Sequence, residues 1–209
     1  GTDAGDYTVY YKVEETRNYN AVTPQKIDGV KILRKPITPR VELEYSTCVF
    51  DNGFKEPKVT VIDDTDGDTV LRASEYQVAY QDNRNAGTAK VIVTDKDGGN
   101  YAIKPDGGVV VTFEITAQVQ AGLNITNQPK TVTYGDQFTL GTSGGSGNGV
   151  VTWEITSGTD VATVDAGGHV TIIGHGTAVV KATKSGAEPV TRAASGGNYE
   201  DATATWTIN

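Results

Sequence analysis

Residues 161–183 read Val161-Ala162-Thr163-Val164-Asp165-Ala166-Gly167-Gly168-His169-Val170-Thr171-Ile172-Ile173-Gly174-His175-Gly176-Thr177-Ala178-Val179-Val180-Lys181-Ala182-Thr183. Three short runs rich in Val, Ile and Thr, at 161–164, 169–173 and 177–183, are parted by glycine-bearing turns. Branched side chains suit the pleated surface of a sheet, and glycine supplies the turns between strands. Ala178, Val180 and Ala182 alternate with Val179 and Lys181, the period of a strand with one face turned inward. This stretch predicts three successive strands.

Working outward, Val151, Trp153 and Ile155 alternate with Thr152 and Glu154, and residues 202–208 make a closing strand. Further strands are expected at 125–134 (interrupted at Pro129) and 137–140, with the Gly-Ser run 141–149 as a flexible loop. Before these, strands are expected at 41–45, 58–62, 69–71, 75–80, 88–94 and 109–116. Tyr76, Val78 and Tyr80 share a face, as do Val109, Val111, Phe113 and Ile115. Residues 6–13 and 26–33 form a hairpin with Asp28-Gly29 as a bulge. No window of about twelve residues keeps a helical period. Short strands parted by turn chemistry are the mark of a sandwich, so the expected fold is all-β, with tandem immunoglobulin-like β-sandwiches.

One pattern recurs three times. Asp3-Ala4-Gly5, Asn85-Ala86-Gly87 and Gly174-His175-Gly176 each lead into a strand, which is followed by Asn18-Tyr19, Asn100-Tyr101 and Asn198-Tyr199. Gly to Tyr spans fourteen positions in the first two copies, and the third is longer by roughly the stretch Ser185–Ala193. Each copy closes on an isoleucine: Ile32, Ile115 and Ile208. The copies lie 82 and 89 residues apart, a period longer than the ~20–50 residues of a solenoid unit and that of a small domain. The expected division is residues 1–34 as the C-terminal half of a truncated module, 35–118 as a complete one, and 119–209 as another. Segments 33–39 and 117–122 are expected to be short linkers.

The 209 residues carry a net charge of −8 and a single cysteine, Cys48. Nucleic-acid binding rests on a basic stripe, and none is visible; the cations at Lys31, Arg34, Lys35 and Arg40 are broken by prolines and read as a linker. One cysteine excludes an internal disulfide but leaves the compartment open. No apolar run approaches the ~20 residues of a membrane span, so no membrane insertion is expected within this segment.

Tyr134-Gly135-Asp136, Val151-Thr152-Trp153-Glu154-Ile155, the run 161–165, Gly168-His169-Val170-Thr171 and the run 176–183 together resemble the group 2 bacterial immunoglobulin-like domain of invasin- and intimin-like adhesins. Residues 75–80, Asn83, 85–89 and Gly99-Asn100-Tyr101 resemble a related surface-protein repeat, and residues 1–34 its tail. The resemblance implies an exported, cell-surface or cell-wall-associated protein without catalytic residues. It implies a structural or adhesive role, as a monomer in an elongated array that meets a protein or glycan at a cell surface.

Candidate chemistry is sparse. Asp63, Asp64, Asp66 and Asp68 could begin a calcium loop, since calcium takes six to eight oxygens. Asp-Gly between two strands is also a common hairpin signal, so the leading expectation is a solvated turn without a cofactor. Tyr10 and Trp206 are the aromatics to consider for sugar stacking, the mark of the alternative reading as a carbohydrate-binding accessory module, although alternation favours Trp153 and Trp206 as core. His169 and His175 lack partners at zinc spacing. Ser143 and Ser146 lie on no nucleophile elbow, and no catalytic set emerges. Lys90 and Lys181 fall on outward faces, which argues against a Lys–Asn cross-link. Cys48 reads as a small half-buried residue.

Overall fold

The computed structural model describes residues 2–65, 67–186 and 197–209. Along the chain the strands are β1 (Gly5–Val13), β2 (Val22–Ile32), β3 (Lys35–Ile37), β4 (Arg40–Leu43), β5 (Thr47–Val49), β6 (Val59–Asp63), β7 (Thr69–Val70), β8 (Tyr76–Gln81), β9 (Gly87–Asp95) and β10 (Tyr101–Ile103). They continue with β11 (Val109–Thr116), β12 (Leu123–Thr126), β13 (Gln137–Thr139), β14 (Gly141–Gly144), β15 (Val151–Ser157), β16 (Ala162–Val164), β17 (His169–Ile172), β18 (Ala178–Lys184) and β19 (Ala202–Ile208). No helix occurs among the described residues, and the fold is all-β, as the alternation predicts. The chain divides into two compact units: Gly1–Ser46, Glu56–Asp82 and Ala89–Phe113 make the first, and Thr47–Lys55, Asn83–Thr88 and Glu114–Asn209 the second.

In the first unit, β1 and β2 pair as an antiparallel ribbon from Gly5↔Ile32 to Val13↔Val22. Tyr7 faces Val30 and Val9 faces Ile27, so Asp28 and Gly29 together oppose Thr8: the expected bulge. Thr8 donates to Asp28 across it at 2.9 Å. No residue of either strand is buried. By contrast, β4, β8 and much of β9 turn alternate side chains inward, and β6, which pairs with β4 and β7, buries Val61, Ile62 and Asp63 in succession. Val61, Val91, Val93 and Phe113 lose essentially all contact with water, and Tyr45 meets Phe113 edge to face at 6.0 Å.

The expected linker 33–39 is instead partly a strand. β3 pairs in parallel with β10, Lys35 opposite Tyr101 and Ile37 opposite Ile103. Pro36 is tolerated because β3 is an edge strand, where a missing N–H costs nothing. Both strands are three residues long and carry too little alternation to mark them in the sequence.

In the second unit, β15-β18-β19 and β13-β17-β16 form two three-stranded sheets, beside the pair β12–β14. Their inward residues make one core: Leu123, Ile125, Leu140, Val161, Ala162, Val170, Ile172, Ala178, Val180, Ala182 and Ile208. The turn inside the 161–183 stretch is fastened by Asp165, whose Oδ1 accepts from the backbone of Gly167 at 2.8 Å and of His169 at 3.0 Å. Gly168 holds φ +79°, and a Cβ there would stand 3.0 Å from the Trp153 indole, so any side chain there would be strained.

Three expectations need correction here. The loop expected at 141–149 begins with β14, because β12 offers a complete edge and pairs Leu123 through Thr126 with Gly144 through Gly141. Glycine and serine are poor strand formers alone, but tertiary pairing overrides propensity. The strand expected over 125–134 ends at Thr126, where Asn127 turns the chain with φ 61°. The linker expected at 117–122 contains Gln120, which is buried. Its Nε2 lies 2.7 Å from Glu200 O and 3.0 Å from Lys184 O, and its Oε1 accepts from Ser146 N at 2.9 Å. A buried amide is stable only when so satisfied. In the same unit β5, unmarked in the sequence, pairs in parallel with the end of β11, Cys48 opposite Ile115. The expected insertion Ser185–Ala193 lies mostly outside the described residues.

Candidate functional site

The recurring tripeptide and the recurring Asn-Tyr, unexplained as sequence marks, meet in space. Asn100 Oδ1 accepts from the Ala4 N–H at 2.6 Å, and its Nδ2 donates to Asp3 Oδ1 at 3.0 Å. The Asn100 backbone carbonyl accepts from Lys35 N–H at 2.8 Å. Asn198 repeats this in every bond: Oδ1 accepts from Ala86 N–H at 2.8 Å, Nδ2 donates to Asn85 Oδ1 at 3.2 Å, and the carbonyl accepts from Gln118 N–H at 2.9 Å. The first clip lies wholly in the first unit and the second wholly in the second.

Asparagine suits the task because its amide carries an acceptor and a donor side by side. Aspartate would set two carboxylates against each other at Asp3, and alanine would leave the Ala4 or Ala86 N–H without its acceptor. Each clip makes two side-chain bonds of about 0.5–1.5 kcal/mol net apiece. Gly5 and Gly87 follow the clipped alanines with φ of 157° and 121°, steering the chain into β1 and β9.

Each clip has its own buttress. Glu75 grips Asn100 twice, accepting from its backbone N–H at 2.7 Å and from Nδ2 at 3.3 Å. Arg34 pairs with Asp95 at 2.6 Å, donates to Lys96 O at 3.1 Å and also reaches Tyr101 O. In the second clip, Tyr199 lies edge to face on Phe50 at 5.6 Å, and Phe50 is almost fully buried. The isolated parallel bridge Gln118↔Tyr199 takes the place that β3–β10 holds in the first.

The acidic loop is split by the fold. Asp63 is buried, with its carboxylate 2.5 Å from Lys35 Nζ and accepting from the Thr65 hydroxyl at 2.5 Å. The lysine first, then the threonine, hold its carboxyl below the usual aspartate range against the cost of burial. Asp68 sits 3.4 Å from Arg40, Asp64 is exposed, and Asp66 lies outside the described residues. Among the described residues no group of three His, Cys, Asp or Glu side chains gathers as a metal set. Asp63 thus departs from the solvated turn expected of it: β6 carries it inward, and Lys35 of β3 meets it there.

Tyr10 is 73% exposed on the β1–β2 ribbon. Trp206 and Trp153 are half-buried against the core of the second unit, Trp206 edge to face with Phe138 at 5.9 Å. His169 and His175 are exposed, the former 2.9 Å from Asp165. Ser143 lies in β14, and Ser146 Oγ accepts from Ala121 N–H at 3.0 Å. Lys181 pairs with Glu154 across strands at 2.8 Å, and Lys90 is exposed. Cys48 is half-buried, and burial pushes its thiol up despite nearby Lys55.

Residues 133–186 match the family described as the intimin immunoglobulin-like domain. The matched segment holds the 161–183 stretch, β13 through β18 and most of the core of the second unit. A search of the curated proteins finds no match to the chain.

Proposed function

We propose that this chain is a structural and adhesive segment of an exported bacterial cell-surface protein, built of immunoglobulin-like sandwiches in tandem and without catalysis of its own. The observation that carries this reading is the match of residues 133–186 to the intimin immunoglobulin-like domain. The asparagine clip, repeated bond for bond in each of the two units, supports a chain built of similar modules. On this reading the chain is a monomer in an elongated array outside the cell, needs no cofactor and meets a protein or glycan there. Small-angle scattering tests it: an extended particle is expected, and a compact one would sink the reading.

A second reading, an accessory carbohydrate-binding module of a larger glycan-active protein, is favoured by the exposure of Tyr10 beside Tyr11 on an uncovered ribbon. Exposed aromatic faces stack on sugars. A glycan array probed with the chain and with Tyr10→Ala separates the two: glycan hits lost in the variant favour this reading, and their absence leaves the structural one.

A further inference from the structure

The third tripeptide, Gly174-His175-Gly176, is held by neither clip: Asn100 holds Ala4, and Asn198 holds Ala86. It is nonetheless shaped like the other two. Gly176 has φ 138°, beside 157° and 121° for Gly5 and Gly87. A cleft of about 580 Å³ opens beside it, lined by Val132, Tyr134, Ile172, His175, Gly176 and Ile208 among others. Thr131-Val132-Thr133-Tyr134 repeats the Thr-x-x-aromatic spacing of Thr47-Cys48-Val49-Phe50, which makes Tyr134 the sequence counterpart of Phe50. Phe50 is 4% exposed under Tyr199, whereas Tyr134 is 80% exposed.

Strand register locates the approach. Gly5 pairs with Ile32, and Lys35, three residues on, donates to Asn100 O. In the third copy Ile208 pairs with Ala178, two residues past Gly176. A chain continuing β19 therefore passes Gly176 and runs along Val132 and Tyr134, as the end of β11 runs along β5.

We propose that this cleft is a third seat of the same kind, taken by a following module of this class. The continuation of β19 enters the cleft, and that module's Asn-Tyr segment closes on the His175 N–H and Tyr134. The third clip is the weakest of the set. Gly174 replaces Asp3 and Asn85, so the asparagine Nδ2 loses its side-chain acceptor. No side chain can restore it, because a Cβ on Gly174 would stand 2.1 Å from the Asp160 carbonyl oxygen.

The proposal rests on the tandem reading above. The test uses the full chain extended after Asn209 by a second copy of residues 115–209, which sets an isoleucine opposite Gly176. Amide hydrogen exchange is read at His175 and at the β18 amides of both copies. The His175 amide is expected to exchange about tenfold more slowly than in the unextended chain, one net hydrogen bond's worth of protection. Asn→Ala at the position of Asn198 in the appended copy alone is expected to abolish that gain while β18 stays protected. Unchanged exchange at His175 beside a folded appended copy overturns the seat, and so does an appended copy whose own β18 never becomes protected. Scattering of the same extended chain separates the failures, since a compact particle defeats the tandem reading and an elongated one with an unprotected His175 defeats only the seat.

Discussion

The β1–β2 ribbon and the β15-β18-β19 sheet are written in the same alternating residues and finish in opposite surroundings. In the ribbon, Val9, Tyr11 and Val13 share a face and all are more than 40% exposed. In the sheet, Ala178, Val180 and Ala182 share a face and are fully buried. Alternation sets which side chains lie together; a second sheet decides whether that face leaves water. Hydrogen bonds and turn chemistry hold the ribbon, and apolar burial holds the sheet.

The sharpest way to break that contrast is Ile208→Ala. This residue is 2% exposed in the core of the second unit, and its truncation is expected to cost about 2–5 kcal/mol. Urea unfolding followed by tryptophan fluorescence measures it cleanly, because both tryptophans, Trp153 and Trp206, belong to that unit. A loss below 1 kcal/mol would mean that the core does not carry the second unit.

Between the extremes stand the clips, polar fastenings in either unit. Asn198→Ala and Asn100→Ala are each expected to cost about 1–3 kcal/mol by stranding an alanine N–H and a side-chain acceptor. Exchange at the Ala86 and Ala4 amides reports each clip separately. Loss of protection at one amide alone shows independent fastenings, and loss at both shows coupling.

Acid sharpens the comparison in the first unit. The folded carboxyl of Asp63 titrates below its unfolded value, so its bond to Lys35 stabilises at pH above about 4 and is lost as pH falls through the folded value. Exchange of the β9 amides is expected to quicken in that window, and Asp63→Asn to flatten this dependence. At pH 7 the variant should lose only about 1 kcal/mol, since Lys35 is itself half exposed. An unchanged acid profile in Asp63→Asn would assign the acid sensitivity to other carboxylates.

The smallest effect belongs to the ribbon. Ile27 is 52% exposed, and Ile27→Ala is expected to change stability by no more than about 0.5 kcal/mol by the same urea and exchange measurements. A larger loss would reveal a covering for the ribbon face.

Strands with clean alternation were the most legible: 109–116 and 202–208 coincide with β11 and β19, and the Asp28-Gly29 bulge stands where expected. Alternation over seven or eight residues carries that information. β3, β5 and β10 were not marked in this way, because the identity of those three-residue strands lies in the partner strand. β14 is the clearest case, a Gly-Ser segment made into a strand by β12. The clips were half legible. Repetition marked Asn100, Asn198 and the tripeptides, but their joining spans 96 and 112 residues, a separation that no local pattern reports. Neither Gln120 nor Asp63 signalled its burial, since a buried amide or carboxylate differs from a surface one only by the groups that the fold brings to it.

The clip also bears on how such a gene can change length. If the chain is a tandem array as proposed, each repeat would carry a tripeptide for its successor to grasp and an Asn-Tyr with which to grasp its predecessor. Unequal recombination that removes or adds one whole repeat would then bring a waiting tripeptide opposite an Asn-Tyr at the new boundary. The fastening would be inherited with the repeat itself, and copy number could drift without any compensating substitution. A lineage in which length changes while the clip residues stay fixed is the expected signature.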